Sequence, residues 1–186
     1  MSLIKKIVLS LVCLLGLLSV SKAAEPEFKP FSADISSSLS GVPNNINTHQ
    51  KCYVTKDKNR FDTTEMIVII RKDKNIMWIL HPLQKTYSEI SLSSDAQASM
   101  VKMIGVPVFD RTMDNFIETE TIDGQLADMY KGNGLTTYCV HGSTVLLKIE
   151  KQFGGGVGFI WEFKNIQIGE PSPDVFEIPK GYKKSG

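Results

Sequence analysis

The sequence carries no large charge of either sign. It has 21 Lys and Arg residues against 20 Asp and Glu residues, a formal net charge of +1. Proteins that bind nucleic acid through its phosphates carry a marked basic excess. The balance therefore gives no support to a nucleic-acid partner, and we expect none.

The longest apolar run is too short for a membrane span. It extends from Ile7 to Val20, after Lys5 and Lys6, whereas a spanning helix needs roughly 20 apolar residues. Ser21-Lys22-Ala23 then places small residues at the −3 and −1 positions of a cleavage site. This order is typical of a secretory signal peptide, so we expect residues 1–23 to be removed on export to the periplasm.

Cleavage after Ala23 changes the charge only slightly. It removes Lys5, Lys6 and Lys22, which leaves 18 basic side chains against 20 acidic ones, a net charge of −2. The remaining 163 of the 186 residues are enough for one domain with a substantial core. We expect residues 24–186 to form that single domain.

Cysteine is scarce, and only Cys52 and Cys139 lie outside the predicted signal peptide. An even count in an exported protein favours a disulfide. It would close the 87 positions between 52 and 139 and contribute roughly 4 kcal/mol in the chain-entropy model. The alternative joins both thiols to His49 and His141 in a metal site, which requires tightly fixed ligand geometry. We expect the disulfide, no metal and no other cofactor.

No catalytic signature stands out. The glycine-rich stretch 154–158 lacks the Lys-Ser/Thr pair of a phosphate loop, and no helix is predicted after it. Glu118 and Glu120 share one strand face, but a carboxylate pair without a cleft or a nearby His is better explained as a solvated surface. We therefore expect the protein not to be an enzyme.

The stretch from Cys52 to Leu92 reads as consecutive antiparallel strands that are apolar on both faces. Alternate residues of a strand point to opposite faces, so Met66, Val68 and Ile70 share one face and Ile67 and Ile69 share the other. A sheet with one wet face would alternate apolar and polar residues. Both faces must therefore be covered, either by a helix and a loop or by a sheet that curves around an apolar cavity.

The rest of the chain predicts more strands and one helix. The KDKN turns at 56–59 and 72–75 and the Asp123-Gly124 hairpin signal separate strands. The helix, 93–105, has a Met-rich stripe at helical spacing. The fold class is thus an antiparallel sheet with a covering helix, its ten strands at 31–40, 52–55, 65–71, 76–80, 85–92, 116–122, 125–131, 135–140, 145–151 and 159–168.

Two motifs give the chain a family resemblance. A W-x-L-x-P-x-x-K-x-Y-x-E core is matched by Trp78, Leu80, Pro82, Lys85, Tyr87 and Glu89. A terminal N-I-x-I-G … F-x-I-P-x-G-Y pattern is matched by Asn165, Ile166, Ile168, Gly169, Phe176, Ile178, Pro179, Gly181 and Tyr182. With these motifs most of the mature chain resembles the LolA/LolB family, the lipoprotein carrier and receptor of the diderm envelope.

The resemblance implies a curved half-barrel sheet wrapped around helices, with an apolar cavity. The branch of the family most similar to this chain has no assigned activity. This sequence also predicts one helix, whereas the carrier has more than one. We expect the cavity to be lined by residues of the central strands, the Met-rich helix and the last strand: Met66, Val68, Ile70, Trp78, Leu80, Tyr87, Met100, Met103, Ile104 and Trp161.

Two functions follow from these patterns. The first is a monomeric periplasmic carrier or chaperone for a lipid, a lipoprotein acyl chain or another apolar ligand. The second is an interaction or sensing module of the envelope that has the same fold and no bound ligand. The lysines and arginines around the KDKN turns are soluble hairpin tips or, alternatively, a basic rim that contacts anionic lipid or an acidic partner.

Processing of the N-terminus is the first testable prediction. N-terminal sequencing of the exported protein should begin at Ala24. The small-residue rule at −1 and −3 decides the site, and Cys13 is preceded by Val12, which does not suit lipidation. An intact Met1, or a lipid on Cys13, would contradict the prediction.

Overall fold

The computed structural model describes residues 26–40, 48–93, 115–132 and 134–185. They form twelve strands: β1 Phe31–Ser40, β2 Thr48–Val54, β3 Lys58–Asp62, β4 Ile67–Arg71, β5 Ile76–His81, β6 Thr86–Ser91, β7 Asn115–Ile122, β8 Gln125–Gly132, β9 Leu135–Val140, β10 Leu146–Gly154, β11 Val157–Ile168 and β12 Lys183–Lys184. Short 3-10 helices occupy Lys72–Lys74 and Pro173–Phe176. Among these residues no helix is long and apolar enough to cross a membrane.

All twelve strands belong to one open, curled sheet. Its order is β12-β6-β5-β4-β3-β2-β1-β11-β10-β9-β8-β7. Neighbours are antiparallel except β12, which pairs with β6 in parallel. The first strand lies between β2 and β11, so residues from the two ends of the sequence meet at the centre of the sheet.

One face of the sheet, called the inner face here, holds the larger core. In register across β1 to β5 lie Ala33, Cys52, Phe61, Val68 and Ile79. A second row across β8 to β11 contains Tyr130, Thr137, Ile149 and Trp161. The buried apolar members of both rows belong to one cluster drawn from nine strands, so the inner face is a single apolar surface.

On the opposite, outer face, the buried apolar cluster lies over β4 and β5. There Ile69, Trp78 and Leu80 form a second cluster with Phe176 from the C-terminal 3-10 helix. Because the strands are apolar on both sides, water would wet this face if the chain ended at β11. Residues 173–185, called the C-terminal segment below, cover it.

Two arginines fasten the C-terminal segment. Arg60 donates to the Val175 carbonyl at 2.8 Å, and Arg71 donates to the Phe176 carbonyl at 3.4 Å and forms an ion pair with Glu177. Each guanidinium is also held by a carboxylate two residues further along the chain, Asp62 or Asp73. Bidentate pairing of this kind fixes a guanidinium geometrically, so the donors are already aimed at the segment.

The structure adds two strands, β3 and β12, to the ten that were predicted, and it shifts the bounds of several others. Thr55 closes the first turn, because its N–H and its hydroxyl both donate to the Lys58 carbonyl, so strand β3 begins at Lys58, where a turn was predicted. The tail contributes β12, which was not predicted. The prediction of a turn at 72–75 is confirmed by the 3-10 helix and by Asn75, whose φ is 54°.

The mainly antiparallel fold class is confirmed, but a helix over the sheet is not shown. The predicted helix lies outside the described residues from position 94 onward. The expectation that both faces of the central strands are covered is confirmed, since Val68, Ile69 and Ile70 are all buried. On the outer face the cover is the C-terminal segment.

Removing the anchor of the C-terminal segment should destabilise the fold. Phe176 is 1% exposed, and Phe176→Ala should lower the free energy of unfolding by about 3–5 kcal/mol because it leaves a cavity against Trp78 and Leu80. Denaturant unfolding measures the change. The matched control is Phe28→Ala, since Phe28 is 40% exposed. Equal losses in the two variants would contradict the assigned role of the segment.

Candidate apolar binding face

The structure divides the predicted cavity residues between two faces. Met66, Val68, Ile70 and Trp161 lie in or against the inner cluster. Trp78, Leu80 and Tyr87 lie in or against the outer cluster, with Phe176. Met100, Met103 and Ile104 are outside the described residues. One cavity cannot contain both groups, so the candidate binding face is the inner one.

Strand pairing explains this division. Trp78 is the partner of Ile69, and Leu80 lies between Ile67 and Tyr87. Side chains that pair across a sheet point to the same face, so Trp78 and Leu80 must lie on the side opposite Val68. The alternation within each strand was readable from the sequence, but the pairing between strands was not.

Several residues of the inner face were not among the predicted cavity residues. The alternation of Phe31, Ala33 and Ile35 with polar residues was the signal available for strand β1. The others, in β3, β5 and β8 to β11, become recognisable only through their register with it: Phe61, Met77, Tyr130, Ile149 and Phe163.

A row of aromatic rings connects the inner face with the surface. Phe159 stacks on Trp161 with ring centroids 5.3 Å apart, and Phe153 meets Phe159 edge to face at 6.0 Å. Trp161 is buried, Phe159 is half-buried and Phe153 is exposed. Because such pairs add to the energy of area burial, the row forms a graded apolar path from the β10–β11 hairpin to the core.

The main polar group on the inner face is Asp128, at its far end. It accepts hydrogen bonds from Thr119 Oγ1 at 2.7 Å and the Gly142 N–H at 2.9 Å, and it lies 2.7 Å from His141 Nδ1. Burial alone would raise the pKa of the Asp128 carboxyl, but the hydrogen bonds from His141, Gly142 and Thr119 lower it below its ordinary value. The carboxylate therefore holds the β9–β10 turn in place.

The geometry around Asp128 supports a structural role. A buried carboxylate that orients an imidazole is also part of many catalytic triads, which need a nucleophile hydrogen-bonded to the imidazole. In the hydrogen bonds of the described residues, Thr119 reaches Asp128 and no hydroxyl or thiol reaches the His141 ring. Glu118 and Glu120 are exposed on the edge strand β7.

No disulfide joins the two cysteines in the part of the chain that the structure describes, so the predicted bond is not shown. Cys52 is on β2 and Cys139 on β9, four strand intervals apart, which is roughly 19 Å along the sheet. A disulfide needs Cα atoms within about 7 Å. Burial raises the pKa of the Cys52 thiol to about 12, which keeps it protonated and unreactive.

The alternative metal site also lacks the geometry it needs. His49 and Cys52 are on β2, whereas Cys139 is on β9 and His141 follows it. Across residues 26–40, 48–93, 115–132 and 134–185, no three His, Cys, Asp or Glu side chains are grouped so that they could hold a metal ion. Tetrahedral metal sites need convergent ligands, and these residues do not converge.

A cleft of about 620 Å³ runs over β3, β2, β1 and β11, and most of the side chains that line it are polar or charged. There Asp62, Lys51, Asp34 and Lys164 lie opposite one another in register, with alternating charge. An acyl chain bound there would remove these charged groups from water, which is unfavourable. This cleft is therefore a solvated surface.

Comparison with solved structures supports the fold. An uncharacterized conserved protein from Thermus thermophilus aligns with a TM-score of 0.56 and 10% sequence identity, over 95% of this chain and 98% of that one. A LolA superfamily protein from Nitrosomonas europaea aligns with a TM-score of 0.42 and 11% identity, over 80% and 90%. A putative outer membrane lipoprotein-sorting protein domain from Vibrio parahaemolyticus aligns with a TM-score of 0.37 and 10% identity, over 80% and 89%.

A LolA superfamily protein is thus among the structural neighbours of this chain. At such identities the likeness concerns the fold alone. No protein-family model matches the chain, and no curated protein matches its sequence.

Asp128 should give the fold a defined dependence on pH. Because the pKa of its carboxyl is lower in the folded chain than in the unfolded chain, the ionised form stabilises the fold above the unfolded pKa, and that contribution is lost as pH falls through the folded pKa. Asp128→Asn should therefore cost about 1–3 kcal/mol at pH 7, and this difference should shrink below about pH 4.

Denaturant unfolding of both proteins between pH 3 and pH 7 measures the dependence. The control is Asp123→Asn in the exposed β7–β8 turn, where Asn suits the positive φ of 50° and the loss should stay within about 0.5 kcal/mol. A stability difference for Asp128→Asn that does not change with pH would contradict the prediction.

Proposed function

We propose that the protein is an exported, non-enzymatic carrier that holds a lipid, a lipoprotein acyl chain or another apolar ligand against the inner face of its sheet. The observation that carries the proposal is the inner face itself. Residues from nine strands form one apolar cluster there, and the row from Phe153 to Trp161 extends it to the surface.

The outer face supports the same assignment by elimination. Its apolar part is occupied by the C-terminal segment, whose Phe176 is buried against Ile69, Trp78 and Leu80. Toward β1 and β11 that face carries the alternating charges of Asp62, Lys51 and their neighbours. Among the described surfaces, the inner face therefore offers the continuous apolar area that an acyl chain requires.

We also propose that the protein is exported to the periplasm and acts there as a monomer. The signal-peptide pattern of residues 1–23 supports export. The resemblance of the sequence motifs to the LolA/LolB family supports a function in the cell envelope. The comparison with solved structures supports the fold.

The second candidate is an interaction or sensing module of the envelope that binds no ligand. The burial of Phe31, Ile35 and Ile149, each 1% exposed, favours it, because a filled interior leaves no room for an acyl chain. The two functions differ in one measurable property, the uptake of an apolar probe.

A fluorescent fatty acid tests the proposal. The wild-type protein should bind it, and Phe159→Ser should weaken binding about tenfold because the half-buried ring is part of the path to Trp161. Ile160→Ser is the matched control, since Ile160 is the next residue of β11, is also half-buried and faces the other side of the sheet. Its affinity for the probe should stay within about twofold of the wild type.

The outcome separates the two candidates. If the wild-type protein binds no apolar probe, the carrier function fails and the interaction module takes its place. If both variants lose binding equally, the ligand does not use the inner face. Thermal unfolding of each variant excludes loss of fold as the cause.

A further inference from the structure

One end of the half-barrel combines exposed apolar side chains with lysines. Phe153 lies at the end of β10, Phe116 and Ile117 at the start of β7, and all three are largely exposed. Lys131 and Lys151 lie on the strands between or beside them, and both belong to the same end of the sheet. We call these five residues the tip patch.

The tight turn of the β10–β11 hairpin projects from this patch. Gly154, Gly155 and Gly156 have φ values of 90°, 62° and 78°, which only glycine adopts without strain. The turn therefore carries no side chains, and Phe153 is the first large group behind it. Lys151 lies over the Phe153 ring at 5.4 Å, so a cation and an aromatic ring point the same way.

The opposite end of the same strands also exposes apolar side chains. Leu126 and Ile168 are as exposed as Phe153, at 55% and 58% against 55%. Their sequence neighbours are the acidic residues Asp123 and Glu170. At the tip patch, Glu118 follows Ile117 on β7, and Glu150 of β10 forms an ion pair with Lys148. Apolar exposure is thus common to both ends, and the tip patch combines it with the ammonium groups of Lys131 and Lys151.

We propose that the tip patch docks on the surface of an anionic lipid bilayer. Aromatic rings are favoured at the level of the lipid headgroups, and lysine side chains extend along apolar surface to place their ammonium groups against phosphates. Phe153 and Phe116 enter the headgroup layer, while Lys131 and Lys151 contact the lipid phosphates. The ring row from Phe153 to Trp161 then begins at the membrane.

This surface goes beyond the carrier function and is consistent with it. A protein that takes up an acyl chain directly from a bilayer must contact that bilayer. Docking by the tip patch brings the outer end of the apolar path to the acyl chains, so that a chain moves along aromatic surface and avoids water.

Vesicle sedimentation with the chain from Ala24 tests the proposal. The wild-type protein should bind vesicles of phosphatidylethanolamine and phosphatidylglycerol more tightly than vesicles of phosphatidylcholine. The double variant Phe116→Ser with Phe153→Ser should lose at least about tenfold in affinity for the anionic vesicles. The double variant Lys131→Gln with Lys151→Gln should lose roughly fivefold for each lysine, and added salt should mimic it.

The matched control is Leu126→Ser with Ile168→Ser, which removes two apolar side chains of similar fractional exposure from the opposite end. Vesicle affinity of this variant should equal that of the wild type. Absence of vesicle binding in the wild type, equal affinity for neutral and anionic vesicles, or equal losses in the two serine variants would each overturn the proposal. A patch that serves a protein partner would give the first of these results.

Uptake of the fluorescent fatty acid without vesicles reports on the carrier function separately. Intact uptake with no vesicle binding overturns the docking surface alone. Vesicle binding without uptake overturns the carrier function alone. Circular dichroism and thermal unfolding of every variant confirm that its fold is retained.

Discussion

The apolar character of both faces of β4 and β5 is the constraint on which the rest of the structure depends. Val68 and Ile70 face one side, and Ile69 and Trp78 face the other, all of them buried. A sheet of this kind is stable in water only if each side is covered. On the inner side, residues of nine strands pack in one cluster. The outer side needs a separate element.

That element is the C-terminal segment, and its attachment shows how polar groups serve an apolar interface. Arg60 and Arg71 are each held by a carboxylate on their own side of the sheet, and they donate to carbonyls of the segment. A short 3-10 helix leaves carbonyls without intrahelical partners, and the guanidinium groups satisfy two carbonyls of that turn. The same contacts fix the position of Phe176 over Trp78, so the hydrophobic and hydrogen-bonding contributions reinforce each other.

The sequence predicted most strands because period-2 alternation and turn signals are local. Strand β9 has the predicted bounds, Leu135–Val140. What it could not supply was non-local: the register that places Leu80 and Val68 on opposite faces, and the four strand intervals between Cys52 and Cys139. Strand β3 was not predicted because Lys58 and Asn59 are polar and were assigned to a turn, although Asn59 and Phe61 alternate as the buried residues of the strand. The role of the tail was missed because Phe176 has no periodic neighbours.

Chain order gives the C-terminal segment a consequence for biogenesis. Strand β1 pairs with β11, and the outer cluster closes only with residues 173–185, so both are completed only when residues late in the sequence have been synthesised. Until they emerge, Ile69, Trp78 and Leu80 remain open to solvent and to other chains. A nascent chain therefore exposes this apolar surface until residues 173–185 have been synthesised. A frameshift or a protease cut just before residue 173, although distant from the inner face, leaves a full set of central strands with one apolar side uncovered, and such a product is prone to aggregation and proteolysis.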